Sequence, residues 1–260
     1  TWDETINDGG ESIQAPTIVE RDPQALARLC QASRVFFGDS YPRVLLCLGW
    51  GAAIIHYSEI FKIDDAFPLL NPYGDPGGGK TEAVKCGMAL AGNHREGMLS
   101  GLSTSAIYEI LKVSSNLPLC WDDPEESTEL DELLKRLYNA KARLVRGDGK
   151  RFSKQKPHTS IAVPTNAAIG ENQAATQSRL AKLFFPPLTG GDRNGETYSA
   201  LQDAMDRASG ALPDLIAAGV PKDRIRQITK DLQPHLASAH PRLARSWALF
   251  VAYGELVQAM

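Results

Sequence analysis

The chain has 260 residues, 43% hydrophobic and 23% charged, which suits one large core or a core with a smaller lid and makes long disorder unexpected. Its net charge of −3, from 28 basic against 31 acidic residues, excludes a global electrostatic pull towards nucleic acid, so any basic surface must be local. Cys30, Cys47, Cys86 and Cys120 are widely separated with no CxxC spacing, which argues against zinc and for buried free thiols in a reducing, intracellular compartment.

Residues 1–19 are polar and turn-rich without period and read as a linker or tail, and the start at Thr1 suggests a piece of something longer. A helical region occupies 20–66. Asp22-Pro23 predicts an N-cap followed by proline at the first helical position, and Leu26, Leu29 and Cys30 form one apolar face. A second, largely buried helix is predicted over 42–56; its apolar run, 44–55, is too short to span a bilayer and contains glycines, so no membrane partner is expected. From 67 to 190 short strands alternate with helices, the pattern of a mostly parallel α/β sheet. Strands are expected at 67–70, 97–101, 117–121 and 159–164, with helices at 103–113, capped by Ser103, and 126–140. Residues 191–260 read as helices over 196–209, 212–218, 222–237 and 241–258, a C-terminal helical lid.

Between the first strand and a helix-forming run lies NPYGDPGGGKT, residues 71–81. Glycine at this density costs conformational entropy that an ordinary turn avoids. The spacing is that of the phosphate-binding loop, GxxxxGK[ST], in its required strand-loop-helix context. Successive backbone N–H groups curl around an anionic phosphate, and the following helix N-terminus adds its positive end. Gly74, Asp75, Pro76, Gly77, Gly78, Gly79, Lys80, Thr81 and Glu82 are therefore the expected ATP contacts. Lys80 faces the β- and γ-phosphates, and the Thr81 hydroxyl is a ligand for Mg2+.

LPLCWDD, residues 117–123, is an apolar strand ending in carboxylates, with Asp122 expected to hold Mg2+ and Asp123 to polarise the attacking water; Glu125 or Glu126 could take the second role instead. TSIAVPTN, 159–166, delivers Asn166 to the C-terminal end of a strand, where ligands of open α/β sheets bind, as a sensor of the γ-phosphate. In SRLAKLFFP, 178–186, Arg179 precedes a short apolar strand, a place from which it cannot readily reach its own nucleotide. An arginine there serves a neighbouring subunit's nucleotide, or simply caps a helix end.

The order of these four segments, closed by RLARSWALFVAYGEL at 242–256, resembles the AAA+-like, superfamily III-like helicase ATPases of phages and mobile elements, of the type often fused to primases. The resemblance covers most of the chain from about Phe67 onward, with a departure in the Asp-Asp pair. It implies an α/β P-loop NTPase of AAA+/RecA-like type, a hexameric ring, ATP-driven translocation on DNA, and an arginine near Arg242 or Arg245 that senses nucleotide from the lid.

Local basicity appears in KARLVRGDGKRFSKQK, residues 141–156. Two glycines flank Asp148, so a hairpin is expected. It falls where related ring helicases project hairpins into the central pore. Lys141, Arg143, Arg146, Lys150, Arg151, Lys154 and Lys156 would grip single-stranded DNA phosphates, and Phe152 would stack on a base; otherwise the run is a solvated face. The five histidines and Trp247 read as structural. A regulatory P-loop ATPase that uses nucleotide as an assembly switch for a protein partner is the principal alternative, and a small-molecule kinase is the next.

Overall fold

The computed structural model describes residues 15–141, 143–146, 152–171, 173–236 and 240–260. Helices α1 (Ala25–Phe37), α2 (Tyr41–Ile55) and α3 (Tyr57–Asp64) lead into strand β1 (Leu69–Tyr73). The phosphate loop and α4 (Lys80–Ala89) follow, then β2 (Met98–Leu99), α5 (Thr104–Val113), β3 (Leu119–Trp121) and α6 (Thr128–Tyr138). The ribbon β4 (Arg143–Arg146) and β5 (Phe152–Gln155) precedes β6 (Ile161–Ala162), α7 (Ala174–Gln177) and β7 (Leu180–Phe184). Four helices close the chain: α8 (Gly195–Arg207), α9 (Leu212–Ala218), α10 (Lys222–Leu232) and α11 (Pro241–Ala259).

Local chemistry sets several of these boundaries. Ser103 caps α5 by accepting from Ala106 N, and Ser127 caps α6 by accepting from Leu130 N. Glu129 and Asp131 in the first turn of α6, with Lys135 and Arg136 in its last, complement the helix dipole. Asn194 does the same work for α8, accepting from Glu196 N and Thr197 N at 2.9 Å each. The N-terminal expectation is displaced: Asp22 accepts from Gln24 N in a turn, and α1 begins only at Ala25. Helix α3 had no counterpart in the sequence pattern. It starts after a break at His56, turns by 86° from the preceding pair, and ends where Asp65 adopts a left-handed φ of 51°. No single helix among the described residues is long and apolar enough to cross a membrane.

The five main strands are all parallel, in the order β2-β3-β6-β1-β7. Alternate side chains of the strands enter two cores. Leu70, Cys120, Ala162, Ala181 and Leu183 face Phe37, Trp50, Met205, Phe250 and Tyr253. Leu69, Leu119, Trp121, Ile161, Val163 and Leu180 face Ile107, Leu111, Leu130 and Leu134 of α5 and α6. The result is a three-layer α/β/α P-loop-like fold. The first core joins the N-terminal helices, α4 and the C-terminal helices into one packed layer. Close approach makes that possible: a Cβ on Gly51 of α2 would stand 2.1 Å from Gly87 O of α4, so the helix beneath the phosphate loop meets α2 backbone to backbone. The four cysteines are free, three of them buried, and burial raises the thiol pKa of Cys47 and Cys120 and takes that of Cys86 to about 12.

Candidate nucleotide site

Because all five strands run the same way, one edge of the sheet collects their C-terminal ends. There β1 passes into the phosphate loop between β6 and β7, the position at which the chain switches sides of the sheet. Two glycines show why the loop needs that residue type. Gly74 has φ 137°, and a Cβ on it would lie 2.2 Å from Phe185 O; Gly77 has φ 79° and would place its Cβ in open space. Asp75 and Pro76 are exposed beside them, and Gly78 N donates to Asp75 O at 3.3 Å.

Lys80 opens α4 with its side chain turned back into the loop. Its Nζ donates to Gly74 O at 2.6 Å and Asp75 O at 2.9 Å and stands 3.5 Å from Asn166 Oδ1. Burial pulls the Lys80 pKa down, and the negative charges of Asp123, Asp75 and Asp122 push it back up. Thr81 Oγ1 donates to Asp122 Oδ1 at 3.2 Å. Lys80, Thr81, Asp122 and Asn166 thus meet in space, although they come from three separate stretches of sequence. Glu82 turns away, accepting from Lys85 Nζ at 2.7 Å and Gln202 Nε2 at 3.3 Å.

The second carboxylate is set apart from the first by its backbone. Asp123 has a left-handed φ of 46°, is exposed, and is anchored through its N–H to Pro164 O at 3.0 Å. Asp tolerates that conformation, which aims neighbouring side chains differently from those of a regular strand. Glu126 is already engaged: its Oε1 accepts from Gly170 N at 3.0 Å and holds the loop that carries Asn166.

The sequence reading passed over Asn71, taken there as the start of the loop. It lies inside β1, fully buried. Its Nδ2 donates to Val163 O at 2.7 Å and Thr165 Oγ1 at 2.9 Å, and its Oδ1 accepts from Ile169 N at 3.1 Å. The only signal was a polar residue closing an apolar run. Asn71→Ala is expected to remove three buried hydrogen bonds at about 1 kcal/mol each, so roughly 3 kcal/mol of stability should be lost in chemical denaturation. A loss under about 0.5 kcal/mol, the usual size of a surface change, would contradict that role.

The arginines occupy the other edge of the sheet. Arg179 O accepts from Leu69 N at the start of β1, about 13 Å of strand from the phosphate loop at ~3.3 Å per residue. Its guanidinium carbon lies 5.7 Å from the Tyr138 ring centroid, and that of Arg242 lies 5.9 Å from the same point. Arg245 grips Asp64 through contacts of 2.8 to 3.0 Å. The fold therefore does not bring Arg242 or Arg245 to the phosphate loop of their own chain.

The expected basic hairpin exists as an antiparallel ribbon, with Arg143 opposite Gln155 and Arg146 opposite Phe152, and Lys154 opposite Leu144. Lys150 and Arg151 lie outside the described residues. Lys141 is exposed at the entry, and Lys156 places its ammonium 4.9 Å from the Phe61 ring centroid.

The Thr81–Asp122 pair fits Mg2+: two hard oxygen donors in contact beside an open glycine loop, the small protein share of a site that phosphates complete. No cluster of three or more His, Cys, Asp or Glu suited to a metal occurs among the described residues.

No protein-family model matches the chain, and no curated protein matches it. Among solved structures it is similar to one described as "SCCmec type IV Cch - active helicase", with 13% identity and a TM-score of 0.67, covering 95% of this chain and 48% of that one. It is also similar to the apo NrS-1 C-terminal region (13% identity, TM-score 0.44, 88% of this chain and 58% of that one). A further similarity is to JCV helicase with a substituted N-phenylacetamide bound (12% identity, TM-score 0.39, 93% of this chain and 69% of that one). The chain spans about half the length of the first of these. Of the three, that first one alone is alike enough in shape to bear on architecture, and the likeness shows that this chain shares its P-loop-like α/β fold.

Proposed function

We propose that the chain is the ATP-hydrolysing motor of a DNA helicase or translocase, working as a ring, most simply a homo-hexamer. The observation that carries this reading is the meeting of Lys80, Thr81, Asp122 and Asn166 at one edge of a parallel sheet while Arg179 stands at the other. The first group can bind and polarise a nucleotide. The arginine suits the nucleotide of an adjacent copy.

In this account Lys80 neutralises charge on the β- and γ-phosphates and the loop N–H groups cradle them. Thr81 and Asp122 would hold Mg2+, which supplies further neutralisation of the phosphates when bound. Asn166, 3.5 Å from Lys80 Nζ, orients the water, and Asp123 accepts its proton. Single-stranded DNA is the proposed track, with the β4–β5 ribbon and the basic residues of 141–156 as its grip.

The division of labour between the two carboxylates is testable. Asp123→Asn should bind ATP as the unaltered protein does but turn it over roughly 10²- to 10⁴-fold more slowly, the usual worth of a general base. Isothermal titration and a phosphate-release assay read the two effects separately. Unchanged turnover would move the base to Glu125, since Glu126 is held by Gly170.

A further inference from the structure

Arg179 enters the N-terminal edge of the sheet from the turn before β7, and Arg242 from the first turn of α11. Both guanidinium groups lie within 6 Å of one ring, at 5.7 and 5.9 Å from the Tyr138 centroid. Neither makes an ion pair among the described residues. Arg179 donates through Nη1 to Ala175 O, while its Nε is buried without an acceptor. Arg245 next to them is different, because Asp64 already neutralises it. A cavity of about 290 Å³ opens beside the ring, lined by Tyr138, Arg242 and Arg245 together with Asp64 and Asp65; Asp64 is already paired with Arg245, and Arg179 stands outside this lining, on the ring.

Two like charges gathered on one ring repel, and burial lowers the pKa of Arg179 with Arg242 lowering it further. A ring face attracts each cation but does not cancel their mutual repulsion. A multiply charged anion does, and the planar forks of arginine match phosphate oxygens. Tyr138 is itself fixed. It is buried, and its carbonyl accepts from Phe67 N at 2.9 Å, which ties it to the entry of β1.

We propose that Tyr138 is the positioning residue of this edge, its ring holding Arg179 and Arg242 together as a receptor for the terminal phosphate of a nucleoside triphosphate bound by a second copy of the chain. This rests on the ring-motor reading and adds to it a second arginine and the side chain that aligns the pair. Arg242 then acts across the interface and not as a lid sensor for its own nucleotide.

Three variants test it, each read for kcat, KM for ATP, and thermal midpoint. Tyr138→Phe keeps the ring face and should stay within about twofold of the unaltered kcat. Tyr138→Leu keeps apolar bulk without the face, and Arg242→Gln removes the charge from an exposed position. Each of these two should lose roughly tenfold or more in kcat with KM nearly unchanged, the pattern of an interaction made only in the transition state. If Tyr138→Leu loses its cooperative thermal transition, Arg242→Gln decides the question alone. Full kcat in Arg242→Gln, or equal losses in the Phe and Leu variants, overturns the proposal. Should that happen while Arg179→Ala is inactive, the ring-motor reading stands without it; full activity in Arg179→Ala removes both.

Discussion

Lys80→Ala is expected to lose ATP affinity by about 1.5–3 kcal/mol, the worth of a hydrogen bond to a charged group, or roughly tenfold to a little over a hundredfold in Kd. The lysine is only 8% exposed, and its ammonium lies at the mouth of the loop against Gly74 O and Asp75 O. Alanine removes the ammonium at the loop together with the donor that two loop carbonyls share. The Cys, Phe and Leu side chains of the core beneath are untouched, so the thermal midpoint should fall little. Titration calorimetry with ATP and Mg2+ reads the affinity directly. Affinity equal to that of the unaltered protein would contradict the assignment of residues 74–81 as a phosphate loop.

Arg179→Ala is expected to bind ATP normally and to lose on the order of 10³- to 10⁵-fold in turnover, the effect of an arginine supplied in trans. Its own chain's loop lies a strand length away, so no contact to its own nucleotide is lost. Mixing separates action between copies from a local defect. Lys80→Ala protein keeps Arg179, and Arg179→Ala protein keeps Lys80, so interfaces that join an intact loop to an intact arginine should recover hydrolysis. Recovery should scale with the fraction of such interfaces in a demonstrated mixed oligomer. No recovery there would count against action in trans, and full activity in a strictly monomeric protein would remove the ring.

What the sequence made legible is what depends on near neighbours. The glycine-rich loop between a strand and a helix, the Ser103 cap and the antiparallel pairing of 143–146 with 152–155 each rest on a few nearby residues whose backbone demands are local. The limits of β1 were not legible in this way. The strand was expected to end at Leu70, with the loop motif read as beginning at Asn71. It continues to Tyr73 because its partner β7 runs beside it throughout, and Pro72 O still accepts from Thr165 N at 3.0 Å. Likewise β6 is only Ile161–Ala162, and the Thr159 and Ser160 hydroxyls just before it donate to Leu117 O and Pro68 O.

The arginines show the larger gap. Placing Arg179 before an apolar strand was a local reading, and the fold puts it at the edge away from the loop. Arg242 and Arg245 were expected near the nucleotide through resemblance alone, and only the packing of α11 against α2 and the first core reveals them beside Tyr138 and Asp64. Asn71 was invisible for a related reason: its three partners lie over ninety residues away in sequence.

The most direct test of a DNA motor is steady-state ATP hydrolysis by the purified protein, measured across a titration of single-stranded DNA at low and at moderate salt. The account predicts a rate that rises several-fold and saturates, with a half-saturating DNA concentration that increases steeply with salt as phosphate contacts are screened. Lys80→Ala should show no rise. A basal rate that stays flat through saturating DNA at low salt would contradict the motor reading and favour a nucleotide-dependent assembly switch.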